Sequence, residues 1–161
     1  MTSVEIPPNS ELKIIGRQAF FDTKIEKIFI PPNVTKIGEF AFDSCENLSI
    51  IEIPKNLELQ IIEKNSFAGT KINKINIPYH TKIISENAFH SCENLEIVEF
   101  PINSELRYIE KFAFNNTKIK KISIPFHVLE IFENAFNLCE NLEYIEIPEN
   151  SELQSIGKYA F

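Results

Sequence analysis

Aspartate is almost missing from this 161-residue chain: Asp22 and Asp43 are the only two among 23 acidic residues. Calcium loops of the EF-hand or nonapeptide kind need clustered Asp and Gly, so the scarcity argues against them. Glycine is nearly as sparse, and Gly16, Gly38, Gly69 and Gly157 are too scattered to form a phosphate-cradling loop. Lys and Arg together number 16, leaving a formal net charge of -7. Nucleic acid and anionic lipid are bound through clustered Lys and Arg, so neither is an expected partner. No stretch approaches the roughly 20 apolar residues of a membrane span, and the opening MTSVEIPPNSELK has no basic flank before an apolar run. No membrane insertion is therefore expected of this segment. The three histidines form no constellation, since His80 and His127 share one position of a repeat and His90 opens a different loop. Glutamates recur with that repeat, as a solvated face does. No enzyme, cofactor or metal site is expected.

What the chain does have is self-similarity. Phe20, Phe42, Phe67, Phe89, Phe114, Phe136 and Phe161 close successive units at intervals alternating between 22 and 25 residues, about seven repeats in one domain over 1–161. The short unit reads TKIEKIFIPPNVTKIGEFAF; the long one, CENLSIIEIPKNLELQIIEKNSF, carries one extra residue before its strand and two in the following turn. Within Leu48, Ile51 and Ile53 the pattern ends in strict alternation, placing Ile51 and Ile53 on one face of a short strand and Ile50 and Glu52 on the other. A proline follows each time (Pro7, Pro31, Pro54, Pro78, Pro101, Pro125, Pro148) and, lacking an N–H, ends the ladder at a corner. A second apolar pair, such as Leu106 and Ile109, then predicts a brief strand or 3₁₀ turn on the opposite side. A single unit cannot bury its own apolar face; stacked units bury it against one another, as in a leucine-rich solenoid with strands about 4.8 Å apart.

The motif CENL recurs at 45–48, 92–95 and 139–142, so the only three cysteines are 47 residues, or one short plus one long unit, apart. Two units separate their backbones by roughly 10 Å. A disulfide needs Cα atoms about 4.4–6.8 Å apart, and a zinc site needs thiolates converging on one metal at about 2.3 Å. The cysteines are expected to be buried packing residues, with Thr70 as a near-isostere between Cys45 and Cys92.

The pattern LxxIxIPxx(V/L)xxIGxxAFxxCxxL resembles the BspA-like, or treponemal-type, leucine-rich repeat along essentially the whole chain. It departs from that pattern where Thr23, Thr70 and Thr117 replace cysteine, and where Glu63, Ser85, Glu110 and Phe132 replace glycine. The resemblance implies an α/β solenoid: a right-handed, curved horseshoe with a parallel β ladder on its concave side and short strands or 3₁₀ turns opposite. It also implies a protein from the surface of a host-associated bacterium or parasitic protist, cell-surface or secreted, acting in adhesion and protein binding without an active site. A host cell-surface or extracellular-matrix protein would be the partner.

The expected binding surface is the solvent face of the main sheet. One outward column runs Ser3, Lys27, Ile50, Lys74, Ile97, Lys121, Tyr144; the other runs Glu5, Phe29, Glu52, Asn76, Glu99, Ser123, Glu146. Opposite charges would meet diagonally, contributing about 0.2–1 kcal/mol per pair, and on one reading they only keep an open sheet soluble. On the other, Phe29, Ile50, Ile97 and Tyr144 are exposed apolar groups among charges, the mixture of a protein-binding patch. An intracellular, cytoplasmic scaffold is the alternative setting, favoured by an odd number of free cysteines; a signal peptide or anchor in the full-length gene would separate the two. Because the sequence opens and stops inside repeat units without polar caps, it is expected to be a fragment, with end-to-end self-association through Val4, Ile6, Ile145 and Ile147 among others. The sequons at Asn33, Asn47 and Asn115 would matter only in a eukaryotic secretory pathway.

Overall fold

The fold is a parallel β-solenoid, seen in a computed structural model that describes residues 1–55 and 57–161. Each coil after the first has two strands and a turn region, and the first has one strand. The longer strands are β2 (Lys27–Phe29), β4 (Ile50–Glu52), β6 (Lys74–Asn76), β8 (Ile97–Glu99), β10 (Lys121–Ser123) and β12 (Tyr144–Glu146). The shorter ones are β1 (Ile14–Ile15), β3 (Lys36–Ile37), β5 (Ile61–Ile62), β7 (Ile83–Ile84), β9 (Tyr108–Ile109), β11 (Glu130–Ile131) and β13 (Ser155–Ile156). Proline precedes the shorter strand in every coil, and its carbonyl accepts from the residue three on, as in Val34 N–H to Pro31 at 3.1 Å. The corner is thus closed by the residue that cannot extend the strand.

No helix occurs among the described residues, so the α/β class implied by the family resemblance is not seen; strands and tight turns consume each unit. The single ladder expected on the main face is also interrupted. The three-residue strands join only in pairs, β2–β4, β6–β8 and β10–β12. Pairing lapses from β4 to β6 and from β8 to β10, where a long unit gives way to a short one and its extra residue is dropped. On the opposite face β5, β7, β9, β11 and β13 form a continuous five-stranded sheet, keeping Ile62, Ile84, Ile109, Ile131 and Ile156 in register.

The turn side carries the most regular hydrogen bonding. Around Phe67, the amides of Asn65, Phe67 and Gly69 donate to the carbonyls of Glu86, Ala88 and His90 in the next coil at 3.1, 2.9 and 2.8 Å. The alternate amides of Ser66, Ala68 and Thr70 close turns on Glu63, Asn65 and Phe67. This alternation demands left-handed backbone two residues before and two after the core Phe, met by Asn65 (φ 54) and Gly69 (φ 68) but also by Phe40, Phe112 and Leu138.

Inside, the repeated phenylalanines form one stack. Phe20, Phe42, Phe67, Phe89, Phe114, Phe136 and Phe161 follow each other with centroids 5.1–5.4 Å apart and ring planes within 9°. The stack packs against buried Ile28, Ile75 and Ile122 of the short-unit strands and Ile62, Ile84 and Ile109 opposite.

The strand face as a candidate binding surface

Alternation along the three-residue strands turns their outer residues to solvent, because the middle residue points to the Phe stack. Lys27, Ile50, Glu52, Lys74, Ile97, Glu99, Lys121, Tyr144 and Glu146 are exposed, and register sets Lys27 beside Ile50, Lys74 beside Ile97 and Lys121 beside Tyr144. Phe29 and Asn76 are instead half-buried, and so offer less surface than the sequence pattern suggests. Position in the strand does not set this difference, since Glu52, Glu99, Ser123 and Glu146 hold the same last place and are exposed.

The diagonal charge contact is present in the middle pair: Lys74 Nζ lies 2.6 Å from Glu99 Oε1. This hydrogen bond, with the charges of Lys74 and Lys55, holds the Glu99 carboxyl below its ordinary range. In the last pair the pattern changes. Ser123 Oγ donates to Glu146 at 2.5 Å, and Lys121 has no ion pair among the described residues. Lys120 is engaged by Glu96 at 2.7 Å, which raises its pKa.

Where β8 and β10 fail to pair, a groove of about 550 Å³ opens, lined by Glu96, Ile97, Val98, Glu99, Lys120, Lys121, Glu143 and Tyr144. A second depression shares Val98, Glu99, Lys121 and Tyr144 with it. Val98 was not legible as a site residue. It is a middle residue, yet it is half-buried, whereas its short-unit counterparts Ile75 and Ile122 are buried. The signal was the extra residue in the long unit, whose effect on strand pairing the pattern alone does not give.

The cysteines lie elsewhere. Cys45, Cys92 and Cys139 are buried and unpaired, and each Sγ donates to the carbonyl of a stacked phenylalanine, Phe20, Phe67 or Phe114, at 2.9–3.1 Å. Thr70 Oγ1 donates to the same Phe67 carbonyl at 2.9 Å and sits 3.3 Å from Cys92 Sγ. Burial pushes the Cys92 thiol up to about 12. His80 lies between Glu58 (3.6 Å) and Glu105 (3.4 Å), and His127 Nδ1 is 3.0 Å from Glu152, so the two turn histidines are more engaged than freely solvated residues. No cluster of three or more His, Cys, Asp or Glu fit to hold a metal occurs among the described residues. Of the sequon asparagines, Asn33 and Asn47 are exposed, while Asn115 is buried with its Nδ2 donating to the Asn137 carbonyl.

Solved structures show the same architecture. A leucine-rich repeat protein from Bacteroides ovatus ATCC 8483 is 27% identical at a TM-score of 0.75, the match covering 100% of this chain and 52% of that one. A leucine rich cell surface protein from Faecalibacterium prausnitzii A2-165 is 25% identical at 0.64, covering 88% and 44%. The pneumococcal vaccine antigen PcpA is 25% identical at 0.79, covering 87% and 37%. The chain thus spans about half the length of the first and less of the other two. No curated protein matches the sequence. The sequence model of the BspA type Leucine rich repeat region matches residues 1–95 and 60–161, in six copies. With that match running from the first residue to the last, the chain belongs to the BspA-type leucine-rich repeat family.

Proposed function

We propose that the chain is a non-catalytic protein-binding module of a surface-displayed protein, with adhesion to a host cell-surface or extracellular-matrix protein as its role. The binding face is the outer side of the three-residue strands: Lys27, Phe29, Ile50, Glu52, Lys74, Asn76, Ile97, Glu99, Lys121, Tyr144 and Glu146. One observation carries the reading. Ile50, Ile97 and Tyr144 remain 52%, 48% and 59% exposed among charged neighbours, on a scaffold whose core and turn ladder hold them in place. Solubility alone asks for the charges, but not for a line of large apolar groups between them. The family, and the likeness to the leucine rich cell surface protein of Faecalibacterium, support the setting.

Affinity capture from host-cell surface extracts tests the reading, using the native chain and a variant with Lys27→Glu, Lys74→Glu and Lys121→Glu. Proteins held by the native chain and released by the variant are the expected outcome. A partner retained equally by both would move the site off this face.

A further inference from the structure

Resting on the binding face just proposed, the groove between β8 and β10 also specifies a ligand chemistry. Its floor is apolar: Val98 is reachable through the lapse in strand pairing, with Ile97 beside it on β8 and Tyr144 beyond Lys121 on β12. Its charges are mostly committed. Glu99 is held by Lys74 at 2.6 Å and Glu96 by Lys120 at 2.7 Å, and Glu143 also acts on the Lys120 charge. Lys121 is the cation left over in the groove, with no ion pair among the described residues. In the β6–β8 pair, Asn76 leaves Glu99 to the lysine. In the β10–β12 pair, Ser123 stands in that position and takes the equivalent carboxylate, Glu146, at 2.5 Å.

We propose that this groove binds an extended peptide segment of a partner protein, one that carries an acidic side chain two residues from an aromatic or large aliphatic one. In an extended peptide, residues i and i+2 share a face about 7 Å apart, so the apolar side chain can pack on Ile97 and Val98 of β8 while the carboxylate meets Lys121 in the next coil. The ion pair forms at the rim, where it selects among peptides more than it tightens binding.

The test titrates the isotope-labelled chain with acetyl-Ser-Glu-Ser-Phe-Ser-amide and its Gln and Lys counterparts, following amide shifts by NMR at low salt. The Glu peptide should bind about two- to fivefold tighter than the Gln peptide and shift the amides of Ile97, Val98 and Tyr144. Lys121→Glu should reverse the order so that the Lys peptide binds best. Ser123→Asn, which releases Glu146 to pair with Lys121 as Glu99 pairs with Lys74, should narrow the preference for Glu. Each variant is first checked for an unchanged melting temperature. Shifts at the groove without any charge preference, or a preference for Glu that survives Lys121→Glu, would overturn the acidic specificity while leaving the binding face standing. No shift at these amides with any of the peptides would sink the groove as a peptide site and count against the face itself.

Discussion

Truncating one ring in the middle of the aromatic stack tests what holds the coils together. Phe89 is fully buried and stacked on Phe67 at 5.4 Å and on Phe114 at 5.1 Å. Phe→Ala in a close-packed core costs about 3–5 kcal/mol. Two ring contacts at about 0.5–1.5 kcal/mol each account for roughly 1–3 of that, the remainder being lost burial and cavity. Phe89→Leu, which keeps most of the volume and loses the stacking, should therefore cost about 1–3 kcal/mol. Phe20 is half-buried and has one ring neighbour, Phe42 at 5.1 Å, so Phe20→Ala should cost clearly less than Phe89→Ala. Urea unfolding followed by far-ultraviolet circular dichroism measures all three. A lowered m-value for Phe89→Ala would show the coils on either side uncoupling, as nearest-neighbour stacking allows. A cost below about 1.5 kcal/mol, or one equal to that of Phe20→Ala, would refute the stack as the central element of the core.

Cys92→Ala should destabilise by about 1–3 kcal/mol, measured in the same way. The raised Cys92 thiol, about 12 when folded against 9.0 ordinarily, favours the folded state fully below pH 9. That contribution is lost as pH rises from about 9 toward 12, because the unfolded chain ionises first. Stability should fall over that range, and less steeply in Cys92→Ala; an unchanged slope would contradict the assignment. Leu138 is exposed in the left-handed region (φ 60), where Asn fits better, so Leu138→Asn should raise stability by about 0.5–1 kcal/mol, read as a higher melting temperature. A Cβ on Gly38 would lie 2.7 Å from the Arg17 backbone nitrogen, whereas one on Gly16 meets nothing within 4 Å. Gly38→Ala should lower the melting temperature and Gly16→Ala should not.

The stacking of units, the proline corners and the packing role of the cysteines could be read from the sequence because each rests on residue type at a fixed spacing. CENL every 47 residues and Pro after every IxI leave little room for another arrangement. The turn ladder could not be read this way. It is made of backbone groups, and its left-handed positions hold Phe40, Phe112, Leu138 and Tyr159 as well as the Asn and Gly that would announce them. The broken pairing at β4–β6 and β8–β10 was equally hidden, since the extra residue in each long unit is visible but its effect on neighbouring coils is not. The outward residues were placed by alternation alone, which is why Lys27, Ile50, Lys121 and Tyr144 stand exposed as expected. Alternation gives a direction and not a degree of burial: Phe29 and Asn76 are half-buried where Glu52, Glu99, Ser123 and Glu146, at the same place in their strands, are exposed.

The central claim, that binding belongs to one face of the solenoid, is tested most directly by reversing two matched lysine columns and titrating the same captured partner calorimetrically. Lys27, Lys74 and Lys121 stand on the strand face. Lys24, Lys71 and Lys118 recur at the same spacing beside the turns, paired with Glu46, Glu93 and Glu140 at 3.4, 3.1 and 4.0 Å. Changing either triplet to Glu alters the net charge equally, so a general electrostatic effect would weaken both. The strand-face variant should lose the partner, at the stability cost of its own broken pair, Lys74–Glu99, and the turn-side variant should bind as the native chain does, each broken pair costing about 0.2–1 kcal/mol. Loss of binding in the turn-side variant with retention in the strand-face variant would contradict the account.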